Sequence, residues 1–265
     1  MSKVDQLFSK LRYSGKKAFI PFVTAGDPDL ETTIKIVSAL ADNGASITEI
    51  GVPYSDPIAD GPIIQASYQR SLERGFRLPQ IFEIGRRVTG NSEMPLVTMA
   101  SYSIIHRTGI ERYITLAKEA GYCGAVVPDL LIEEAKPLSR SCREADFNLI
   151  QLVTPTTPPH RQLKIASLSS GFLYFVSVTG ITGERREIPH SVLTNIEWLR
   201  TQTELPICVG FGISSAATAK IVSDISDGVI IGSAIVRRVS EASSPEMAIQ
   251  NVIDFTREIV TSIAT

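Results

Sequence analysis

Residues 48–62 read TEIGVPYSDPIADGP and form the most informative stretch of this 265-residue chain. The apolar segment 46–51 predicts a short strand that carries one carboxylate, Glu49, just before its end. The loop that follows is stiffened by three prolines, because each proline ring fixes φ, and it holds Asp56 and Asp60. A lone acid in a core strand is usually structural, since a buried charge must be partnered or neutralised. Three acids at one strand end and its loop favour a functional site.

Strand-like and helix-like segments alternate on both sides of this stretch along the whole chain. Most strand-like segments are nearly continuous apolar runs, as expected of strands that are covered on both faces. The predicted strands are residues 18–24, 47–51, 96–101, 125–129, 149–154, 173–178, 207–210 and 229–232. The predicted helices are residues 3–11, 30–43, 79–88, 110–120, 133–145, 160–169, 191–202, 215–226 and 245–262.

Eight strands that alternate with helices predict an α/β fold, a (β/α)8 TIM barrel with an extra N-terminal helix. A doubly wound open sheet is the structural alternative, although such a sheet seldom needs eight evenly repeated units. No linker, low-complexity tract or charge block divides the sequence. Residues 1–265 are therefore expected to form a single barrel domain.

The composition argues against several classes of function. With 26 basic and 28 acidic residues and a net charge of −2, no strong field for nucleic acid or an anionic membrane is expected. The three cysteines are widely spaced and the three histidines are isolated, so no metal site is expected. The N-terminal residues lack a signal segment, and no apolar run approaches the ~18 residues that span a bilayer. These features predict a cytoplasmic protein.

Glycines follow the last three predicted strands, in the segments 179–183, 210–212 and 232–233. In barrels of this type the chemistry lies at the carboxyl ends of the strands, and loops after strands seven and eight commonly bind phosphate. Each glycine pair alone is more often only a turn, but together they favour a phosphate site made of backbone N–H groups. The predicted phosphate residues are Gly183, Gly212, Gly232 and Ser233. No Lys lies in 210–214 or 232–236, which argues against a P-loop.

Apolar side chains stand near the ends of several different strands. For any one of them, packing in the barrel core is the simpler interpretation. As a set near Glu49 and a phosphate site, they indicate a slot for a flat hydrophobic ring. The members of this set are Phe22, Met99, Leu152, Tyr174 and Phe211.

The sequence resembles the tryptophan synthase alpha chain family at six segments that occur in the family's order. Besides residues 48–62, the matching segments are AFIPFVTAGDP at 18–28, VPDL at 127–130, SVTGITG at 177–183, GFGI at 210–213 and IGSA at 231–234. They are spread over nearly the whole chain, which a chance match would not produce.

The resemblance implies a carbon–carbon lyase that releases indole and glyceraldehyde 3-phosphate from indole-3-glycerol phosphate by a retro-aldol reaction. Glu49 is expected to move protons, because apolar surroundings raise its pKa towards the working pH. Asp60 is expected to accept the indole N–H and to stabilise the developing cation. Thr182 is expected to hydrogen-bond one of these acids when the loops 53–62 and 180–188 close over the site. No metal or organic cofactor is required for this step.

The resemblance also implies a partner, the pyridoxal-phosphate-dependent tryptophan synthase beta chain, in an α2β2 assembly. The expected interface residues are Pro53, Asp56 and Pro57, in the rigid loop beside the site. Indole is small, apolar and easily lost to solvent, and direct transfer to a partner would prevent that loss. The alternative is that Asp56 merely caps its loop and that the protein is a free lyase.

The chain departs from the family pattern at three positions. Ser101 and Ser103 stand where a Tyr and an Asn are usual, and Leu131 stands where a Pro is usual. Two rival functions remain open: a regulatory subunit that cleaves little substrate, and another phosphate-binding barrel such as indole-glycerol-phosphate synthase. The second would be expected to supply a strand-end Lys, which the apolar strand ends lack.

Overall fold

The structure, a computed structural model, describes residues 2–58, 60–177, 189–210 and 212–264. Within these residues nine parallel strands alternate with helices. The strands are β1 Ala18–Thr24, β2 Thr48–Gly51, β3 Leu96–Met99, β4 Tyr122–Val126, β5 Asn148–Ile150, β6 Leu152–Val153, β7 Leu173–Val176, β8 Ile207–Gly210 and β9 Gly228–Ile231. The helices are α1 Lys3–Tyr13, α2 Leu30–Asp42, α3 Pro62–Glu73, α4 Pro79–Thr89, α5 Tyr102–Thr108, α6 Ile110–Glu119, α7 Ala135–Glu144, α8 Pro159–Leu168, α9 His190–Arg200, α10 Ala216–Ile225, α11 Ser233–Ser240 and α12 Pro245–Ile263.

The sheet closes on itself through a single residue, Gln151. The strands are ordered β5-β4-β3-β2-β1-β9-β8-β7-β6, so β5 and β6 lie at the two ends of that order. Along the chain these two strands are separated only by the buried Gln151, whose carbonyl oxygen accepts from the Tyr174 N–H at 3.1 Å. Strands β5 and β6 are therefore the two halves of the predicted strand 149–154. The prediction of a TIM barrel is confirmed.

The barrel interior and its N-terminal end are filled with apolar side chains. Alternate residues of the strands point inward, and α1 covers this end with Val4 and Phe8, which are 0% and 6% exposed. The ring of Phe8 packs against that of Phe172, with 5.8 Å between their centroids. Helix α1 thus closes the barrel interior at the N-terminal ends of the strands.

Three described helices were not predicted from the sequence, namely α3, α5 and α11. Helix α3 shows why, because its buried face includes the polar residues Ser67 and Ser71 beside Ile64 and Tyr68. Such a face lacks the apolar periodicity by which amphipathic helices are recognised. No helix among the described residues has both the length and the apolar character needed to cross a bilayer.

Strand β4 begins and ends three residues earlier than the predicted strand 125–129. Gly124 lies in its centre and pairs with Asn148 of β5. A Cβ at Gly124 would lie 2.8 Å from the Asn148 Cβ, so the close approach of the two strands requires a glycine there. A glycine in a predicted strand weakens the sequence signal for it, which explains the shift.

We predict that Gly85→Ala destabilises the barrel, although alanine normally stabilises the interior of a helix. A Cβ at Gly85 of α4 would lie 2.5 Å from both the Ala120 carbonyl oxygen and the Tyr122 ring. Overpacking of this kind costs about 1–3 kcal/mol, against about 1 kcal/mol of gained helix propensity. Urea unfolding should therefore show a net loss of stability. Gly90→Ala is the control, because its Cβ would meet nothing closer than 3.3 Å; equal stability of Gly85→Ala and the wild type would contradict the prediction.

Candidate active site

A cavity of about 740 Å³ opens at the carboxyl ends of the strands. Most of the predicted site residues that the structure describes line this cavity. These are Phe22, Asp60, Met99, Tyr174, Gly212, Gly232 and Ser233. Helix α3 contributes Ile64 to the wall, and helix α11 contributes Arg237 and Arg238, which the sequence analysis did not single out.

Five other predicted catalytic or substrate-binding residues do not line this cavity, and one of them is Glu49, which is buried on β2. Thr182, Gly183 and Phe211 lie outside the described residues. Leu152 is half-buried and packs among the side chains of the barrel interior, where its register partner is Tyr174 of β7. Leu152 therefore supports the wall formed by Tyr174 and does not itself line the cavity.

Glu49 lies on β2 with its side chain in an environment without polar partners. Its neighbours in register are Phe22 on β1 and Val97 on β3, and the residue is 1% exposed. Neither carboxylate oxygen has a hydrogen-bond partner among the described residues. Burial, and to a lesser degree the charge of Asp60, raises the pKa of Glu49 to about 8. Glu49 is therefore a neutral acid near pH 7, ready to give up a proton.

Asp60 ends the loop that leads from β2 to α3, and its backbone is held at both sides. Its N–H donates to the Pro57 carbonyl at 3.1 Å, and its carbonyl accepts from the Gln65 Nε2 of α3 at 2.8 Å. Burial and the charge of Asp129 raise the pKa of Asp60 to about 6. At neutral pH the site thus combines a charged Asp60 with a neutral Glu49. Two carboxyl groups with different ionisation states are suited to different steps of one reaction.

Aromatic side chains cover two glycines at the strand ends. A Cβ at Gly51 would lie 2.5 Å from the Phe22 ring, and a Cβ at Gly210 would lie 2.6 Å from the Tyr174 ring. These glycines let the two rings lie close against β2 and β8, which leaves room in the cavity. Nothing in the sequence pattern gives Gly51 a role, because the Phe22 ring reaches it only when β1 and β2 are paired.

The other side of the cavity offers backbone N–H groups. Gly212 follows β8 with φ of +74°, a conformation that favours glycine. Gly232 precedes the first residue of α11, Ser233, and the first N–H groups of a helix have no intrahelical partner. The two glycines and the start of α11 therefore form a site suited to an anion.

Two arginines extend the positive character of this side. The guanidinium of Arg238 donates to the Ala234 carbonyl at 2.8 Å and lies 3.6 Å from the Phe255 ring centroid, so it is held in place. Arg237 is exposed and forms no ion pair within the described residues. Arg237 lies one residue beyond the segment 232–236, in which the absence of Lys favours recognition by the backbone. The helical spacing of four residues from Ser233 to Arg237 is the signal that would have found it.

The loop expected to meet a partner is only partly exposed. Pro53 is buried, Pro57 is half-buried and Asp56 is exposed, accepting from the Ser55 hydroxyl at 2.8 Å. Ile58 is 88% exposed. The same face carries Leu131, which is 59% exposed. The outer surface at this end of the barrel thus carries an exposed acid and two exposed apolar side chains.

The serines that depart from the family pattern belong to one polar network. Asp129 accepts from the Ser101 hydroxyl at 2.6 Å and from the Tyr102 N–H at 2.7 Å. Ser101 also caps α5 by accepting from the Ser103 N–H, and the two hydroxyl oxygens are 2.8 Å apart. This network fixes the charge of Asp129 near Asp60. Across the described part of the chain, no group of three or more His, Cys, Asp or Glu side chains is arranged to hold a metal ion.

We predict that Glu49 makes the stability of the protein fall as the pH rises. Its folded-state pKa of about 8 exceeds the ordinary value of 4.5, so the folded state binds the proton more tightly than the unfolded state. Below pH 4.5 Glu49 is protonated in both the folded and the unfolded state, so it causes no pH dependence there. Between pH 4.5 and about pH 8 the free energy of unfolding falls steadily. Relative to Glu49→Gln, the free energy of unfolding of the wild type should fall by about 1.4 kcal/mol for each unit by which the folded-state pKa of Glu49 is raised.

Urea unfolding of both proteins between pH 5 and pH 8 measures this effect. Glu93→Gln is the matched control, because the Glu93 side chain is 95% exposed and should leave the pH dependence unchanged. A constant difference between the wild type and Glu49→Gln across this range would show that Glu49 is not neutral in the folded protein.

Comparison with known proteins agrees with this geometry. The sequence model of the family described as tryptophan synthase alpha chain matches residues 8–264. The tryptophan synthase alpha chain of Rhodopirellula baltica is 58% identical over 245 residues, covering 91% of this chain and 88% of the relative. The crystal structure of tryptophan synthase subunit alpha from Legionella pneumophila superposes with a TM-score of 0.92 at 30% identity, covering 99% of this chain and 98% of the other. A structure of tryptophan synthase from M. tuberculosis gives a TM-score of 0.90 at 26% identity and covers 100% of both chains. The chain therefore belongs to the tryptophan synthase alpha chain family of lyases.

Proposed function

We propose that this chain cleaves indole-3-glycerol phosphate into indole and glyceraldehyde 3-phosphate, with Glu49 and Asp60 as its catalytic residues. One observation carries the proposal: a buried, unpartnered and neutral carboxyl group, Glu49, is the register neighbour of Phe22, which lines a cavity whose other side is suited to an anion. This substrate has a flat ring at one end and a phosphate at the other, which match the apolar side and the anion-binding side of the cavity.

The phosphate is held at Gly212, Gly232 and Ser233 by main-chain N–H groups, with the start of α11 directed at it. The indole ring lies between the apolar side chains of Phe22, Met99 and Tyr174, which line the same cavity. Binding at both ends places the bond to be broken beside Glu49. Holding the substrate in this way lowers the activation barrier, because the reacting groups are already oriented.

Glu49 supplies and then recovers one proton. The neutral carboxyl group protonates carbon C3 of the indole, and the positive charge that results is shared with the ring nitrogen. The carboxylate then takes the proton of the glycerol hydroxyl next to the ring. As the new carbonyl forms, the bond to C3 breaks and its electron pair returns to the ring, releasing indole. Glu49 ends the cycle protonated, as it began.

Asp60 stabilises the cation between these two steps. Its pKa of about 6 leaves it charged at neutral pH, and a carboxylate that accepts the indole N–H offsets the charge on the ring. A preorganised charge in a partly dry site stabilises a transition state more effectively than water does.

The rival functions have less support. Indole-glycerol-phosphate synthase would be expected to place a Lys at a strand end, and no Lys lines the described wall of the cavity. A purely regulatory subunit would not need a neutral Glu49, because leaving a buried carboxyl group without partners lowers stability. The network of Ser101, Ser103 and Asp129 retains a charged group beside Asp60 in spite of the departures from the family pattern.

We further propose that residues 1–265 act as one domain in the cytoplasm, together with a tryptophan synthase beta chain in an α2β2 assembly. The contact surface comprises Asp56, Pro57, Ile58 and Leu131, with the buried Pro53 shaping the loop from beneath. An exposed acid beside exposed apolar side chains suits a partner surface that pairs a basic residue with an apolar patch. Because the same loop ends in Asp60, docking would reach the site directly.

Replacing either acid should stop indole release. Glu49→Gln cannot donate a proton, and Asp60→Asn cannot offset the cation, so each variant should lose at least about 100-fold in kcat. A steady-state assay of indole formation measures this, with Glu93→Gln as the active control. More than about a tenth of wild-type turnover in Glu49→Gln, a loss of under ~1.4 kcal/mol of barrier, would remove Glu49 from the proton transfer.

The partner is tested by mixing this chain with its cognate beta chain and measuring mass by light scattering. The wild type should form a complex of the mass of α2β2, and mixing should raise the rate of indole release. Asp56→Ala removes one interfacial charge and should raise the Kd of that complex about tenfold or more. Glu93→Gln should bind as the wild type does. The chain works alone if no complex forms and neither subunit's activity changes on mixing.

A further inference from the structure

We propose that Tyr68 is a positioning residue, whose hydroxyl donates a hydrogen bond to the ionised carboxylate of Glu49 during turnover. This inference rests on the proposed function above. Tyr68 lies on α3, one of the helices that the sequence patterns did not reveal, and it does not line the main cavity.

The Tyr68 hydroxyl lies on the same face of β2 as Glu49. Residues two apart on a strand point to one face, so Gly51 and Glu49 share a side. The Tyr68 hydroxyl oxygen lies 2.7 Å from the position that a Cβ on Gly51 would occupy. The phenol thus fills the space of the missing Gly51 side chain, on the face of β2 that also carries the Glu49 side chain.

Both groups lack a strong hydrogen-bond partner in the described residues. Tyr68 is 3% exposed, and its hydroxyl reaches only the Met99 sulfur, at 4.0 Å. Thioether sulfur is a weak acceptor. Glu49 has two buried oxygens with no partner. A buried donor and a buried acceptor left unsatisfied side by side are costly, which is consistent with a bond that forms at one stage of the reaction.

The reaction creates the need for this bond. Glu49 is neutral before it protonates the ring, and a neutral carboxyl group tolerates an apolar environment. Once the proton has left, the buried carboxylate requires a donor. Tyr68 can meet that requirement, because burial and the charges of Asp60 and Glu49 raise the pKa of its phenol far above neutral. The phenol therefore keeps its proton.

Helix α3 holds Tyr68 at this place through the residues on either side of it. The hydroxyls of Ser67 and Thr24 lie 2.6 Å apart, and the Ser71 hydroxyl donates to the Ala25 carbonyl at 2.6 Å. All four groups are buried. These bonds join α3 to the end of β1, whose neighbour in the sheet is the strand that carries Glu49. The position of the phenol is thus fixed relative to the carboxyl group.

The other groups that face Glu49 do not replace Tyr68. Asp60 is an acceptor when it is charged. Tyr174 also senses the charge of Glu49, which contributes to its raised pKa, but its ring lines the main cavity and would be covered by the substrate. Tyr68 instead lines a small space behind the cavity, together with Asp60 and the exposed Asp129. Asp129 already accepts from Ser101 and from the Tyr102 N–H.

Tyr68→Phe tests the proposal, because it removes only the hydroxyl. We expect kcat to fall about tenfold, the loss typical of a hydrogen bond to a charged group, with little change in KM. The pH midpoint that reports Glu49 should move upward, since the carboxylate loses its donor. A packing role alone would leave that midpoint in place. The matched control is Tyr122→Phe, whose buried hydroxyl donates to the Ile81 carbonyl of α4, on the helix side of the sheet and outside the barrel interior. It should keep the wild-type kcat and midpoint.

A second substitution, 3-fluorotyrosine at position 68, preserves the fold and makes the phenol a stronger donor. It should move the midpoint downward, opposite to Tyr68→Phe. A wild-type midpoint and kcat in Tyr68→Phe would overturn the inference. If circular dichroism shows that Tyr68→Phe is unfolded, an unchanged midpoint in the fluorinated protein would overturn it. Failure of the proposed function is distinct, because the wild type itself would then release no indole.

Discussion

Closure of the parallel sheet at Gln151 is the constraint on which the rest of this structure depends. Every strand of a closed parallel barrel ends on the same side, so side chains from distant parts of the sequence meet at one rim. Helix α1 covers the opposite rim with Val4 and Phe8. The cavity proposed as the active site is therefore formed by the carboxyl ends of the strands and by the helices that start there, α3 and α11.

Closure also explains the chemistry of Glu49. In an isolated strand its carboxyl group would be solvated and charged at neutral pH. Inside the rim its neighbours in register are Phe22 and Val97, and burial raises its pKa to about 8. Asp60 is less buried, and its pKa rises only to about 6. The difference in burial between a strand residue and a loop residue separates the ionisation states of the two acids.

The polar contacts around α3 connect the fold to the site. Asp27 is buried just after β1, and its carboxylate accepts two hydrogen bonds from Arg70. One comes from the Nε at 3.1 Å and the other from a terminal nitrogen at 2.6 Å. Together with the Ser67 and Ser71 bonds to the end of β1, this ion pair ties α3 to the strand beside β2. The loop that ends in Asp60 leads directly into α3. A partner that docks on the exposed part of this loop would therefore act on an element whose far end is firmly held.

By itself, the sequence determined the barrel and marked candidate residues for its site, because continuous apolar runs, strand-end acids and glycine clusters are local signals. Such signals made Glu49, Asp60, Gly212 and Gly232 candidates. Only the tertiary structure decided which side chains surround them. Tyr68 lies on a helix whose buried face is partly polar, and Arg237 lies one turn into α11, beyond the glycines. Their positions depend on how helices pack on the sheet, as does the burial that keeps Glu49 neutral, since desolvation is a property of the folded surroundings and not of the residue.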